Sequence, residues 1–258
     1  VYNKPMIYYS LSILMLCKFR EVILICDRDS KKIYEKIFSN GKHLGMKIHI
    51  VVQEKANGIP EAFLISKKYL KNESACLMLG DNFFFGQGFY DLLKKGTNLK
   101  KGAFFLAYNV QNPEKYAVLE KKNNKILSIV EKPQNPKTNL AIPGIYFFDK
   151  NVVDYCKNLA KSKRGELEIV DLINIYIKKS SVKFEEIGRG ISWLDMGSFE
   201  DLNDCSNYIR AIEKRQNFMI SSPEEIAFLN KWITKKKLIQ ISNKYNNDYG
   251  DYLKKLCL

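Results

Sequence analysis

The chain has 258 residues, of which 46% are apolar, and its formal net charge is +14. This length and composition are typical of one large or two small globular α/β domains and exclude a disordered chain. No apolar stretch is long enough to cross a membrane and no secretory signal pattern occurs, so we expect no membrane association. The six cysteines are scattered without a Cys-x-x-Cys pair, which favours free thiols in a reducing cytoplasm.

The first half of the chain alternates helical and strand patterns. Helices are predicted over 7–16, 30–38, 60–69 and 89–95, and strands over 21–26, 47–53, 75–79 and 103–110. Such an alternation predicts a doubly wound sheet in which most strands are parallel.

The second half has a different pattern. Strands are predicted over 117–120, 125–130, 142–148 and 182–187, with helices over 151–159 and 167–178, and the Lys-Lys-Asn-Asn segment between the first two strands indicates a hairpin. From residue 198 the chain is predicted to be helical to its end. We therefore expect a Rossmann-like, doubly wound mixed sheet in an α/β core over 1–197, followed by a helical C-terminal extension over 198–258.

The excess of basic residues has two explanations. It reflects either a solvated, lysine-rich surface or a polyanionic partner such as nucleic acid. The basic runs are short, as in Lys100-Lys101, and lack interleaved arginines and aromatics. We favour the solvated surface and expect no nucleic-acid partner.

The first candidate site residue is Asp81, at the end of the apolar run 75–79. A carboxylate just past the carboxyl end of a buried strand lies where open α/β sheets bind their ligands. Gly80 lets the chain turn and lets a ligand approach the backbone. The alternative is that Gly80-Asp81-Asn82 is a plain turn, and this segment alone does not decide between the two.

A second acidic turn, Trp193-Leu194-Asp195-Met196-Gly197, follows another strand-like segment. Its simplest explanation is a packed tryptophan beside a helix cap. Mg²⁺, however, is typically held by one or two carboxylates together with substrate phosphates. Two acidic turns in one sheet therefore make Asp81 and Asp195 the best candidate pair for Mg²⁺.

Glu131-Lys132-Pro133 follows a further strand. Lys132 would place a cation near a phosphate, and Glu131 would accept hydrogen bonds from sugar hydroxyls. The alternative is a surface ion pair before a turn.

Beyond these features, the chain resembles the sugar-nucleotide pyrophosphorylases, and among them the glucose-1-phosphate thymidylyltransferases. Short motifs carry the resemblance, and they occur in order along almost the whole chain. They are Lys4-Pro5-Met6-Ile7-Tyr8-Tyr9, Leu79-Gly80-Asp81-Asn82, Phe85-Gly86, Asn112-Pro113-Glu114-Lys115-Tyr116, Glu131-Lys132-Pro133, Gly144-Ile145-Tyr146-Phe147-Phe148-Asp149, Arg164-Gly165-Glu166-Leu167-Glu168, Trp193-Leu194-Asp195 and Pro223-Glu224-Glu225-Ile226-Ala227-Phe228.

The resemblance implies transfer of a thymidylyl group from dTTP to glucose-1-phosphate, giving dTDP-glucose and pyrophosphate without a covalent enzyme intermediate. Catalysis then rests on positioning and charge stabilisation, with Mg²⁺ as cofactor. The implied roles are Mg²⁺ binding for Asp81 and Asp195, catalysis for these two and Lys132, nucleotide binding for Gln53, Gly58 and Asp81, and sugar-phosphate binding for Tyr116, Glu131, Lys132, Gly144 and Trp193. The resemblance also implies a cytoplasmic homotetramer that supplies dTDP-rhamnose and polysaccharide biosynthesis.

The chain departs from this family's pattern in several places. A Gly-Gly-x-Gly-Thr-Arg-Leu phosphate loop and a Ser-Lys-x-x-x-Pro segment, which carry two catalytic cations, would lie before Val1. We therefore expect the first strand and the triphosphate half of the site to be missing. Unusual residues stand at Ala117, Pro143, Glu61 and Met196. The alternative function is accordingly a catalytically impaired, nucleotide-sugar-binding homologue.

Overall fold

The computed structural model describes residues 1–123 and 125–258. The helices are α1 (Ile7–Leu16), α2 (Arg28–Phe38), α3 (Glu61–Ile65), α4 (Lys67–Leu70), α5 (Phe89–Thr97), α6 (Val152–Lys157), α7 (Ile169–Lys178), α8 (Phe199–Gln216), α9 (Pro223–Leu229), α10 (Lys235–Ser242) and α11 (Asp248–Lys255). The strands are β1 (Glu21–Cys26), β2 (Lys47–Val52), β3 (Ala75–Met78), β4 (Asn82–Gly86), β5 (Ala103–Asn109), β6 (Ala117–Lys122), β7 (Lys125–Glu131), β8 (Leu140–Ala141), β9 (Ile145–Phe148), β10 (Val182–Glu186) and β11 (Ile191–Asp195).

The strands of the described chain fall into three hydrogen-bonded groups. Strands β1 and β2 pair in parallel, as predicted. In the larger sheet, β9 lies between β3 and β5 and is antiparallel to both, whereas β10 is parallel to β5. The expectation of mostly parallel strands is therefore wrong for this sheet, because a strand from late in the chain separates two earlier ones. The predicted class, a mixed α/β fold, is confirmed.

The third group is the antiparallel pair β4–β11, and β4 was not predicted. The aromatic run Phe83-Phe84-Phe85 forms this strand because it pairs with a partner more than a hundred residues away. Strand β9 is also shorter than the predicted 142–148. Pro143 has no N–H to donate, and the N–H of Gly144 is bonded to a side chain, so the ladder starts at Ile145.

Other boundaries differ less. The helix predicted over 60–69 is divided at Ser66 into α3 and α4. Helix α2 begins earlier than predicted because the carboxylate of Asp27 accepts the N–H of Ser30 at 2.8 Å and caps it. The hairpin prediction is confirmed by the β6–β7 pairing, although Asn124 of its turn lies outside the described residues.

A cleft of about 550 Å³ separates the β1–β2 pair from β3. Helix α1 and α3 contribute to its walls, together with apolar residues such as Val22, Leu24 and Leu77. The cleft extends to Leu79 and Gly80, immediately before Asp81, and to Gln53. It therefore connects the regions that hold two groups of predicted site residues.

The C-terminal helices share a core with the start of the chain. Ala227 and Leu238, from α9 and α10, are buried against Leu11 and Met15 of α1. The division into a core over 1–197 and an extension over 198–258 stays a prediction. No helix within the described ranges is long and apolar enough to span a bilayer. All six cysteines are free thiols, as predicted.

Candidate active site

The two predicted metal ligands, Asp81 and Asp195, lie side by side. Asp195 ends β11, where it is paired with Asn82 at the start of β4. The N–H of Met196 donates to the carbonyl oxygen of Asp81 at 2.9 Å. Both carboxylates are half-buried at the same end of the β4–β11 pair. The sequence placed them on separate turns, and the strand pairing brings them together.

The negative charges of Asp81 and Asp195 are not balanced by nearby positive groups. Burial, followed by the negative charge of Asp81, raises the pKa of Asp195 to about 6, and Asp201 acts in the same direction. The N–H of Gly197 and the charge of Lys132 oppose this rise without cancelling it. Two carboxylates that repel each other are a suitable environment for a divalent cation. Among residues 1–123 and 125–258, no group of three or more His, Cys, Asp or Glu side chains is placed to hold a metal.

Asn82 connects Asp81 to the rest of the site. Its Oδ1 accepts hydrogen bonds from the indole Nε1 of Trp193 at 2.7 Å and from the N–H of Gly144 at 2.8 Å. Its Nδ2 donates to Oδ1 of Asp81 at 2.8 Å. The side chain is 3% exposed, so these partners replace water. Sequence reasoning treated Asn82 as part of a turn, and its position after Asp81 was the one available signal.

Aromatic side chains form one wall of the site. The rings of Tyr116 and Trp193 have centroids 5.0 Å apart, and Tyr108 packs edge-on against the same indole at 5.8 Å. Trp193 is buried, whereas Tyr116 is half-buried. Burial and the charge of Asp195 raise the pKa of Tyr116. A ligand would therefore meet mainly the tyrosine, with the tryptophan behind it.

Glu131 and Lys132 lie at the end of β7, beside this wall. The N–H of Lys132 donates to the carbonyl oxygen of Tyr116 at 3.1 Å, and its φ of 42° is left-handed. The exposed Lys132 side chain is near enough to lower the pKa of Asp195. Burial raises the pKa of Glu131, with a further contribution from Glu168.

Gln53 and Gly58 form a second group of predicted site residues. Gln53 follows β2, and its N–H donates to the carbonyl oxygen of Cys26 at 2.9 Å. Gly58 has a φ of +101°, and a Cβ there would lie 2.1 Å from the carbonyl oxygen of Leu167. In the described parts of the chain, no hydrogen bond joins Gln53 or Gly58 to Asp81 or Asp195.

The two groups are connected through the segment around Leu167. The N–H of Leu167 donates to the carbonyl oxygen of Asn57 at 2.8 Å, next to Gly58. In the same segment, Arg164 pairs with Glu168 at 2.8 Å and reaches Glu131 at 4.0 Å. A ligand that contacts both groups would pass along this segment.

Three of the unusual residues lie within the site. A methyl group at position 117 would crowd a sugar only if φ there were positive, and Ala117 lies in extended strand within β6, opposite Glu131. Met196 is buried and donates its N–H to Asp81. Pro143 is buried before Gly144 and offers no N–H there.

The fold and site together define an α/β protein with acidic, basic and aromatic side chains grouped at strand ends, where open α/β sheets bind their ligands. Residues 1–212 match the model of the nucleotidyl transferase family. A glucose-1-phosphate thymidylyltransferase of Neisseria meningitidis is 39% identical over 258 residues, which is 99% of this chain and 90% of the relative. One from Mycobacterium tuberculosis is 38% identical over 99% of this chain and 89% of the relative. The chain therefore belongs to the nucleotidyl transferase family.

Solved structures agree. A crystal structure from Bacillus anthracis, described as a glucose-1-phosphate thymidylyltransferase in complex with sucrose, superposes with a TM-score of 0.75 at 32% identity. It covers 81% of this chain and 84% of that one. A UDP-glucose pyrophosphorylase with bound UDP-glucose is 21% identical with a TM-score of 0.69, covers 83% of this chain and 88% of its own, and shows the fold alone. The resemblance and the enzyme class predicted from the motifs are thus confirmed.

Proposed function

We propose that the chain transfers a thymidylyl group from dTTP to glucose-1-phosphate, forming dTDP-glucose and pyrophosphate. The observation that carries this proposal is that the β4–β11 pairing brings Asp81 and Asp195 together beside the wall formed by Tyr116 and Trp193. A phosphate oxygen of the sugar phosphate attacks the α-phosphorus of dTTP, and the bond from that phosphorus to the pyrophosphate oxygen breaks. No protein nucleophile is needed, so positioning and charge stabilisation carry the reaction.

Asp81 and Asp195 would hold Mg²⁺. They fit this hard cation because both present carboxylate oxygens and because burial, together with their mutual repulsion, raises the pKa of Asp195. When bound, Mg²⁺ supplies positive charge that offsets the negative charge of the phosphates.

The remaining residues position the substrates. Lys132, exposed beside Asp195, places its ammonium group where the glucosyl phosphate and the reacting phosphorus meet. Glu131 accepts hydrogen bonds from sugar hydroxyls, and the backbone at Gly144 is held in place because its N–H donates to Asn82. Tyr116 and Trp193 exclude water from one side. Gln53 and the Gly58 backbone contact the thymine.

The proposal is tested by measuring pyrophosphate release from dTTP and glucose-1-phosphate with Mg²⁺. We expect release by the wild-type protein and a loss of about 100-fold or more in D81N and D195N, which each remove charge from the proposed metal site. Asp204 lies exposed on α8, so D204N is a matched control that keeps full activity. Absence of release by the wild-type protein, with release from another nucleotide or sugar phosphate, would contradict the proposal.

A catalytically impaired nucleotide-sugar-binding homologue is the alternative, and Pro143 is the observation that favours it. The proline removes a backbone donor directly before Gly144 in the proposed sugar-phosphate site. Calorimetry separates the two functions: binding of dTDP-glucose without any turnover of dTTP would support the alternative. P143T, which restores an N–H, would then raise turnover.

We extend the proposal to the setting of the reaction. The protein would act as a cytoplasmic homotetramer, and its dTDP-glucose would supply deoxysugars such as rhamnose for polysaccharides. Light scattering on the purified protein tests the tetramer directly, because a mass of one 30.0 kDa chain would rule it out.

A further inference from the structure

Glu61 lies at the start of α3 and joins the two ends of the Gln53–Glu61 segment. Its Oε2 accepts Nε2 of Gln53 at 2.6 Å, and its Oε1 accepts Nδ2 of Asn57 at 2.8 Å. All three side chains are half-buried. Both carboxylate oxygens are thus used by carboxamide groups of the same segment.

The orientation of each carboxamide in this set follows from the charged group that it contacts. The ammonium group of Lys161 can only donate, and it contacts Oδ1 of Asn57 at 3.1 Å. Asn57 therefore turns its NH₂ group toward Glu61. An ionised carboxylate can only accept, so Gln53 must also present its NH₂ group to Glu61.

These contacts determine which atom of the Gln53 carboxamide is left for a ligand. Its Nε2 is bonded to Glu61 and lies 3.4 Å from the carbonyl oxygen of Gly58, so both N–H bonds have partners inside the segment. Among the residues that the structure describes, none donates to its Oε1. Gln53 can therefore offer a ligand an acceptor and not a donor.

We propose that Glu61 is a positioning residue that fixes the carboxamide of Gln53 with its oxygen toward the nucleobase. This inference rests on the proposed function, in which Gln53 contacts the base. Thymine and uracil carry a donor, the ring N3–H, whereas N3 of cytosine is an acceptor. A fixed acceptor binds the first two bases and faces a second acceptor in cytosine, which leaves both lone pairs unsatisfied.

A glutamine at position 61 would not have this effect. Its amide can present either oxygen or nitrogen, so Gln53 could turn to match either base. Charge-assisted hydrogen bonds are also about twice as strong as neutral ones, which holds the single orientation more firmly. Glu61 thus selects the base without contacting it.

The test compares dUDP with dCDP, which differ in the base edge and share the sugar and both phosphates. Calorimetry gives the ratio of their dissociation constants for wild type, E61Q, E61A and K161M, with dTDP as a reference ligand. The matched control is E54Q, since Glu54 pairs with Arg28 at 2.7 Å and makes no bond to Gln53. Lys161 contacts Asn57 and not Gln53, so K161M is a second control.

We expect the wild-type protein and E54Q to prefer dUDP over dCDP by at least about tenfold. The preference falls about tenfold in E61Q and E61A, whereas K161M keeps the wild-type ratio because Glu61 still accepts from Gln53. An unchanged ratio in folded E61Q and E61A overturns the inference while the proposed function stands. If the wild-type protein binds neither dTDP nor dUDP, the proposed function fails and the inference fails with it.

Discussion

The indole Nε1 of Trp193 donates a 2.7 Å hydrogen bond to Oδ1 of Asn82, which joins the middle of β11 to the start of the antiparallel strand β4. The same oxygen accepts the N–H of Gly144. One buried side chain thus fixes the aromatic wall, the backbone at Gly144 and, through its Nδ2, the carboxylate of Asp81. The shape of the site therefore depends on a carboxamide that lies within a motif but to which the resemblance assigned no role.

We predict that N82A loses about 2–6 kcal/mol of unfolding free energy, because two buried donors lose their acceptor at about 1–3 kcal/mol each. Urea denaturation measures this change. W193F removes one of the two donors and is expected to cost less. The coupling energy from the double mutant N82A/W193F should be close to the worth of one hydrogen bond, and additive effects would show that the two side chains act independently.

Tryptophan fluorescence provides a second measurement of the same contact. The chain has two tryptophans, so in a W232F background the emission comes from Trp193 alone. We expect N82A to change this emission because the indole N–H loses its partner. Identical spectra of N82A/W232F and W232F would argue against the predicted role of Asn82.

The sequence predicted the carboxylates and missed what holds them. The sequence could identify Asp81 and Asp195 because each follows an apolar run, and such a run is recognised from neighbouring residues alone. Strand β4 and the role of Asn82 depend on pairing with β11, more than a hundred residues later. The hydrophobic pattern of neighbouring residues does not indicate such a pairing. Pairing across the chain is also why β9 was placed correctly as a strand while its position between β3 and β5 was not foreseen.

Motif resemblance and local chemistry reported different things about Glu61. Comparison with the family pattern marked it as unusual, and nothing in the sequence indicated that Gln53 and Asn57 would both donate to it. Such contacts are set by the turn of the chain between β2 and α3. The sequence thus singled out these residues, whereas their hydrogen-bond partners required the structure.

The raised pKa of Asp195 predicts how metal binding depends on pH. With a pKa of about 6, the carboxyl group of the free protein is protonated below that pH, and a cation must displace the proton. We expect the affinity for Mg²⁺ and the rate of pyrophosphate release to fall as the pH is lowered from about 7 to about 5. A profile that is flat over this range would show that Asp195 does not bind the metal.

The same group affects the stability of the metal-free protein in the opposite sense. Its pKa is raised in the folded state from 3.8 to about 6, so the folded protein binds more protons than the unfolded chain between these values. Stability is therefore expected to fall as the pH rises through this window. D195N should remove that dependence and be more stable than wild type at neutral pH without metal, as thermal unfolding in a chelator would reveal.

A buried ion pair joins the start of the chain to α8. Nζ of Lys4 lies 2.8 Å from Oε1 of Glu213, which also accepts the N–H of Ile220 at 2.8 Å, and both charged side chains are buried. K4M leaves the carboxylate buried and unpaired, so we expect a loss of about 3–5 kcal/mol in unfolding free energy. Denaturation of R28M is the control.

Arg28, on α2, forms an exposed pair with Glu54, and screening by water leaves such a pair little effect on stability. Equal losses of unfolding free energy in K4M and R28M would mean that the buried pair stabilises the fold no more than the exposed pair does. A loss confined to K4M would show that residues before α1 hold the C-terminal helices in place.

Gly58 offers a test of the base site that does not involve charge. Its φ of +101° is unfavourable for any other residue, and an added Cβ would lie 2.1 Å from the carbonyl oxygen of Leu167 and 2.6 Å from its nitrogen. In G58A the loop must move away from Leu167, which breaks the bond from the Leu167 N–H to the Asn57 carbonyl. We expect a loss of about 1–3 kcal/mol in stability, the usual cost of such a strained backbone.

The effect of G58A on ligand binding should exceed its effect on stability. Moving the loop also displaces Gln53, whose Nε2 is held by Glu61 and the Gly58 carbonyl, so dTDP affinity should fall by at least about tenfold. Gly188 has open space around its Cβ position, and G188A is the matched control with wild-type affinity. Calorimetry with dTDP compares the two variants. If folded G58A binds dTDP as tightly as G188A does, the loop between β2 and α3 does not contact the base, and the nucleotide lies elsewhere along the cleft.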